Sequence, residues 1–175
     1  MLDRYWPLFG VSVRTPRLEI RLPRDDDLTE VLEVVARGIH DPATMPFLFP
    51  WTDIPSPERE RTSLQFWWRC RAAWSPDEWV FNGAVFVEGR PVGMQDMRAK
   101  NFASLRTVST GSWLGREHQG RGLGREMRAT ILHLAFEGLG AVADHVESGR
   151  GRHLGWQRAG QVRVDDRLRR AQVPV

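Results

Sequence analysis

A chain of 175 residues with 41% apolar and 27% charged residues fits one soluble globular domain with a sizeable core, neither disordered nor fibrous. Its apolar runs are far too short to span a bilayer, and no apolar stretch near Met1 marks it for export. The lone Cys70 rules out an internal disulfide and offers no basis for a metal site, so a cytoplasmic protein without a metal is expected.

The net charge of +3 does not make nucleic acid an expected partner. Seven arginines fall in residues 145–175 against Glu147, Asp165 and Asp166, which leaves the body of the chain close to neutral. A basic tail whose arginines are accompanied only by Trp156 is a poor surface for nucleic acid.

Along the chain, Arg17 to Leu22 alternates strictly, the period of a half-buried strand, and Pro23 stops it. Asp25, Asp26 and Asp27 offer a helix cap, and Leu28, Val31, Leu32 and Val35 follow at helical spacing before Gly38. From Ile39 to Pro55 the chain is rich in proline and aromatics without either period, which predicts an ordered loop whose rings pack or line a pocket. Ser56-Pro57 then caps a second helix with Phe66, Trp67, Cys70, Ala73 and Trp74 on one face, ended by Pro76. A hairpin follows: Trp79 to Val87, a turn at Glu88-Gly89-Arg90, and Pro91 to Arg98. Beyond a polar link at Lys100-Asn101 come a strand from Thr107 to Leu114 and a helix marked by Met127, Ile131, Leu134 and Ala135. Gly138 and Gly140 end that helix, and a short strand lies near Val142 to Val146. The late strand–helix–strand crossover implies one parallel pair in an otherwise antiparallel sheet, so the fold class is mixed α/β in a single domain.

The chemistry sits between the strand ending at Leu114-Gly115 and the helix opening near Leu123. There the chain reads Gln119-Gly120-Arg121-Gly122-Leu123-Gly124. Glycines at a helix entry let backbone N–H groups converge on an anion, and the helix dipole favours negative charge. Arg121 and Arg125 can add charge-assisted hydrogen bonds to phosphate oxygens. A nucleotide-binding P-loop needs Lys then Ser or Thr after its glycines, and this segment has neither. The Gly-x-Gly-x-Gly spacing also departs from the dinucleotide fingerprint.

Gln119-x-x-Gly122-x-Gly124 matches the (Gln/Arg)-x-x-Gly-x-(Gly/Ala) motif of the GNAT N-acetyltransferases. The run from Thr110 through Met127 resembles the ribosomal-protein alanine acetyltransferase branch (RimJ/RimL-like), as does Thr15-Pro16-Arg17-Leu18 ahead of an acidic cap and helix. The resemblance spans roughly residues 12–146. It implies a GNAT-like domain, mostly antiparallel with a parallel pair around the cofactor cleft and helices on both faces. It also implies an acyltransferase that moves acetyl, or succinyl, from coenzyme A to a primary amine: a protein amino terminus, a lysine or a small amine. By resemblance, Trp113, Leu114 and Gly115 hydrogen-bond the pantetheine arm. The amides of Gln119, Gly120, Arg121, Gly122, Leu123 and Gly124 hold the pyrophosphate, and Arg125 lies near the adenosine 3′-phosphate.

Asp96, on the strand before the central one, is the first candidate for the base or for orienting the amine. His40 and Asp41 lie in the aromatic loop, where this family meets its acceptor, and histidine is easily tuned to neutral pH. His118 is too close to the cofactor loop to serve as a base. Ser109 and Ser112 are strand residues of no particular weight. The family's tyrosine acid has no counterpart, since Tyr5 is the only tyrosine.

The resemblance breaks down over residues 147–175. An Asn-bearing helix is expected after the strand near Val146, but the chain runs Ser148-Gly149-Arg150-Gly151-Arg152-His153 before a Leu154-Gly155-Trp156 turn. Such a break points to a deletion or an altered reading frame. It admits the alternative of a coenzyme A-binding or regulatory protein with weak turnover. A sheet edge left open there would favour a homo-oligomer.

Overall fold

The alternation after Arg17 does form a strand, and a second short strand precedes it. Ser12–Arg14 (β1) pairs antiparallel with Glu19–Arg21 (β2), with Val13 opposite Ile20 and both fully buried. The strand is shorter at both ends than the alternation implies, because Thr15 to Leu18 turns the chain, closed by the Thr15 N–H on the Leu18 carbonyl at 2.9 Å. The computed structural model describes residues 2–146 and 163–164. In it β1 and β2 join Glu78–Val87 (β3), Arg90–Lys100 (β4), Thr107–Leu114 (β5), Ala143–Val146 (β6) and Arg163–Val164 (β7) in one sheet of order β6-β5-β4-β3-β2-β1-β7. Among the described strands only β5 and β6 run parallel, the pair that the crossover implies. Apart from β7, the stretch 147–175 where the break in pattern is expected, including the Leu154-Gly155-Trp156 turn, lies outside the described residues.

Helices cover both faces, as the alternation of β3 dictates. Ala84 and Phe86 point towards Leu28 and Val31 of Asp25–Arg37 (α1) and Trp67 of Glu58–Ala72 (α2). Phe81 and Val85 point the other way, towards Leu123, Met127 and Ile131 of Leu123–His133 (α4). The last turn of α4 widens over Leu134–Gly138, with the Leu139 N–H on the Leu134 carbonyl at 2.9 Å. No helix among the described residues is long and apolar enough to cross a membrane.

Four local readings are corrected by the structure. The cap of α1 is Arg24 rather than one of the aspartates, and Asp27 reaches back from the third helical position to accept the Arg24 N–H at 2.6 Å. In α2 the expected apolar face narrows to Leu64 and Trp67, one turn apart. Phe66 is 43% exposed, and Ala73 is exposed past the helix end, because α2 touches the sheet along a single edge. Trp74 packs edge-on against Trp6 instead. The polar link after β4 contains a short helix, Phe102–Leu105 (α3), flanked by left-handed Asn101 and Arg106, with Phe102 against Trp79. The hairpin needs only two turn residues, Glu88 and Gly89, at φ 52° and 78°. That double positive φ matches the right-handed twist of the strands it joins.

Two measurements test this packing. Burial alone would raise the Asp27 carboxyl, but hydrogen bonds from the Arg21 guanidinium (2.7 and 2.9 Å) and the Arg24 amide hold it below the usual carboxylate range. A lowered folded value stabilises above the unfolded value, about 3.9, and is lost as pH falls through it. Asp27→Asn should therefore cost on the order of 1 kcal/mol at pH 7, with the gap to wild type closing below about pH 4 in urea titrations. A methyl group on Gly93 would collide with the Trp113 carbonyl and lie 2.9 Å from the Leu114 Cα, whereas one on Gly10 meets nothing within 4 Å. Gly93→Ala should lower the urea midpoint by the equivalent of roughly 2 kcal/mol or more, with Gly10→Ala nearly neutral.

Candidate functional site

β5 and β6 part company at Thr110. β6 pairs with Thr107 to Thr110 only, while β4 continues alongside β5 as far as Leu114. Beyond Thr110, β5 has no strand on its β6 side among the described residues. The point of divergence is locked by a polar cluster reaching in from α4. The fully buried Thr110 hydroxyl donates to Asp144 Oδ1 at 3.1 Å, and Arg128 donates to both the Thr110 hydroxyl and Asp144 Oδ2. On the other side, Gly111 is tied to β4 by side chains. Its N–H donates to Asp96 Oδ1 at 2.8 Å, and its carbonyl accepts from Gln95 Nε2 at 2.9 Å.

After β5 the chain enters the glycine-rich loop through a tightly braced turn. The Gly115 N–H reaches the Val92 carbonyl, and a Cβ at Gly115 would lie 2.8 Å from Val34 Cγ1, so α1 presses directly on this turn. Gln119 Nε2 donates to the Leu114 and Ile39 carbonyls, both at 2.8 Å. The Gln119 side chain is thus a brace between the end of β5 and the start of the aromatic loop, rather than a direct ligand for an anion. Gly120 and Gly122 adopt φ of 75° and 79°, a conformation that strains other residues. The backbone N–H groups of Gly120, Arg121, Gly122, Leu123, Gly124 and Arg125 have no acceptor among the described residues. All but the apolar Leu123 belong to exposed residues. At Gly124 a Cβ would sit 3.8 Å from Leu114, ordinary contact, in keeping with a motif that admits alanine there.

The residues expected on the acceptor side are drawn towards the same strand by stacked rings. His40 meets Phe47 at 5.6 Å, Phe47 meets Trp51 at 5.5 Å, and Trp51 meets Trp113 of β5 at 6.3 Å. Both ring nitrogens of His40 are engaged within the loop, Nδ1 with the Asp41 carbonyl and Nε2 with the Thr52 hydroxyl, each at 2.8 Å. Asp41 is exposed and accepts the Ala43 N–H. Asp96 lies on the same sheet face as Trp113, two residues along β4 from Trp113's partner Met94, and pairs with Arg98 at 2.9 Å. Beside it, burial pushes the Cys70 thiol up despite a hydrogen bond with Asn82, which keeps it a poor nucleophile.

Several of these residues carry little sequence signal. Gln95 sits inside the apolar run of β4 and is fully buried, which its polarity alone could have flagged. Arg128 and Asp144 are ordinary charges in a sequence and become a lock only when the crossover brings β6 beside β5.

A family model described as "Acetyltransferase (GNAT) domain" matches residues 17–156. Among solved structures, the chain is similar to a Vibrio cholerae protein provisionally assigned as a ribosomal-protein-serine acetyltransferase (20% identity, TM-score 0.58, 77% of this chain and 72% of that one). It is also similar to Mycobacterium smegmatis RimJ in complex with CoA-disulfide (18%, 0.56, 72% and 61%). A third is RimL, a ribosomal L7/L12 alpha-N-protein acetyltransferase, in complex with coenzyme A (14%, 0.52, 71% and 67%). At these identities the likeness is one of fold.

The brace at Gln119 has a direct test. Gln119→Glu would turn a carboxylate towards two carbonyls, and it should open the turn locally by roughly 1–3 kcal/mol. Hydrogen exchange at the Gly115, Arg116 and His118 amides should accelerate accordingly, while core amides of β3 and β4 keep their protection.

Proposed function

The chain belongs to the GNAT acetyltransferase domain family, and from that membership we propose that it moves an acetyl group from acetyl-coenzyme A to a primary amine, with a protein amino terminus as the favoured acceptor. The class of enzyme, an N-acetyltransferase drawing on acyl-coenzyme A, follows from the family. The observation that carries the placement of the donor is the row of N–H groups from Gly120 to Arg125 that have no acceptor among the described residues, at the start of α4 and beside the end of β5 that β6 does not reach. A pyrophosphate suits these amides in charge and geometry, each such bond contributing about 1.5–3 kcal/mol. The exposed side chains of Arg121 and Arg125 supply further positive charge at its rim. The side of β5 away from β4, between Gly111 and Leu114, offers backbone groups to the amide-bearing pantetheine arm, in the manner of an added strand.

In this reading the amine nitrogen attacks the thioester carbonyl, the carbon–sulfur bond breaks, and the thiolate leaves. The proton lost by the amine passes to a weak base through water. The protein's main contribution is alignment of the two reactants. Asp96 serves by orientation, since Oδ1 already holds the Gly111 N–H and Oδ2 the Arg98 guanidinium. The acceptor side is the aromatic wall of Phe47, Trp51 and Trp113, with His40 as its outer strut and Asp41 at its edge. Exposed Leu48 and Phe49, beside that wall, suit a peptide better than a small polyamine. The likeness to RimL, described as acting on a ribosomal protein's amino group, favours the same choice over a lysine side chain.

Calorimetric titration with acetyl-, succinyl- and free coenzyme A, followed by thiol release with peptide and small-amine acceptors, tests this directly. Binding of acetyl-coenzyme A and thiol release with a peptide amino terminus are expected. Gly122→Val should weaken binding by at least about tenfold, because the left-handed backbone and the space for phosphate are both lost. No binding by the wild type sinks the proposal. Binding without thiol release over the whole panel leaves a coenzyme A-binding protein in its place.

A further inference from the structure

The segment Thr15-Pro16-Arg17-Leu18 lies far in sequence from the glycine-rich loop, yet its side chains close on that loop. The Thr15 hydroxyl donates to Glu126 Oε1. Arg17 Nε donates to Glu126 Oε2 at 2.6 Å, joined there by Nη2, and Arg17 Nη1 donates to the Arg121 carbonyl at 3.1 Å. A Cβ on Gly122 would sit 3.6 Å from Arg17 Nη2, so the guanidinium lies directly behind the loop.

Glu126 is the reason that this matters. It stands in the first turn of α4, within one turn of amides that have no acceptor among the described residues. A side chain there leans towards the helix N-terminus, so an untethered carboxylate can reach such amides, and the helix dipole rewards it for doing so. It would then compete with any anionic ligand for the same N–H groups. Here both of its oxygens are occupied from the opposite side, Oε1 by Thr15 and Oε2 by Arg17. The bond to the Arg121 carbonyl has a second effect. In a planar trans peptide the C=O and the following N–H point in opposite directions. Holding the Arg121 carbonyl towards Arg17 therefore aims the Gly122 N–H away from it. An ion pair with Arg17 52% exposed adds little to global stability, so its principal effect is local.

We propose that Thr15, Arg17 and Glu126 form a positioning device for the donor loop, in which Arg17 keeps a self-capping carboxylate off the anion-binding amides and sets the Arg121–Gly122 peptide. The inference rests on the proposed function, since it takes the anion to be the pyrophosphate of coenzyme A. Arg17 is a positioning residue, and it acts on the donor through the loop.

The test compares coenzyme A with pantetheine, which lacks the pyrophosphate, by calorimetry and by chemical-shift titration of the loop amides. Arg17→Met should weaken coenzyme A roughly tenfold and leave pantetheine within about twofold. Arg17→Lys, which keeps charge but loses the fork, should recover only part of the loss. Glu126→Gln alone should bind coenzyme A as well as wild type or more tightly, and Arg17→Met combined with Glu126→Gln should recover most of the affinity. Equal losses for both ligands, a Glu126→Gln variant weakened tenfold, or no recovery in the double variant would each overturn the inference. Because Glu126→Gln keeps the shape of the turn, it decides the matter even if the Arg17 variants fold poorly. Wild-type protein that binds pantetheine but not coenzyme A removes the pyrophosphate reading and this inference with it.

Discussion

The first turn of any helix carries N–H groups that the helix itself cannot satisfy, and what meets them decides what that end of the helix is for. In most helices a side chain does the work within the fold. At the start of α4 none of the described side chains does, from Gly120 through Arg125. Much of the surrounding structure is explicable as the means of keeping that row open. Left-handed Gly120 and Gly122 carry no side chain that could cover the amides. Gln119 fastens the loop to the end of β5 and to Ile39. Arg17 and Thr15 hold the nearest carboxylate away.

The same logic extends into the sheet. A parallel pair that separates after four residues leaves strand backbone unclaimed, and such an opening would collapse without something to prop it. Thr110, Asp144 and Arg128 supply the prop by binding β5, β6 and α4 together at the residue where pairing ends. On the β4 side, Gln95 and Asp96 hold Gly111 by its carbonyl and its N–H. Beyond Thr110 the strand is therefore fixed on one side by β4 and, among the described residues, has no strand on the other. A Cβ at Gly111 would lie 3.1 Å from Asp96 Oδ2, a tight contact that the carboxylate would have to shift to relieve. The core beneath is ordinary: α4 buries Met127 and Ile131 against the sheet, and that burial sets the height at which the loop meets β5.

The proposed donor side stands out in the sequence because its requirements fall on neighbouring residues. Glycines at a helix entry, after an apolar strand, read as an anion cradle without any knowledge of the fold, and the strand–helix–strand order implies the parallel pair. What escaped the reading lay in contacts between distant segments. Arg17 and Glu126 are 109 positions apart, and Gln119 and Ile39 are 80 apart. Alternation also overstated the first strand and missed β1, since a three-residue strand has too few positions to show a period. The face of α2 was misjudged for a related reason. Five apolar or aromatic residues at helical spacing imply a broad buried stripe, but the helix rests on the sheet by its edge, leaving Phe66 and Trp68 in solvent.

The difference between the two sides of the site is itself physical. A pyrophosphate and a pantetheine arm present oxygens and amides that backbone groups can recognise, so the residues around them need only be small or absent. An amine acceptor is distinguished by what surrounds its nitrogen, and in the proposed reading that falls to side chains: Phe47, Trp51 and Trp113 stacked in sequence, with His40 bonded at both nitrogens and so held as a strut. With Trp113 belonging to β5, the innermost ring of the acceptor wall stands on the strand proposed to carry the donor. On the proposed assignment, any change in how the aromatic loop packs is therefore felt where the two substrates would meet. The Gln119 bond to Ile39 couples them from the opposite end, because it ties the first residue of that loop to the turn that precedes the amides. The proposed donor loop and acceptor wall are thus mechanically one unit, which is what a direct transfer between two bound molecules demands.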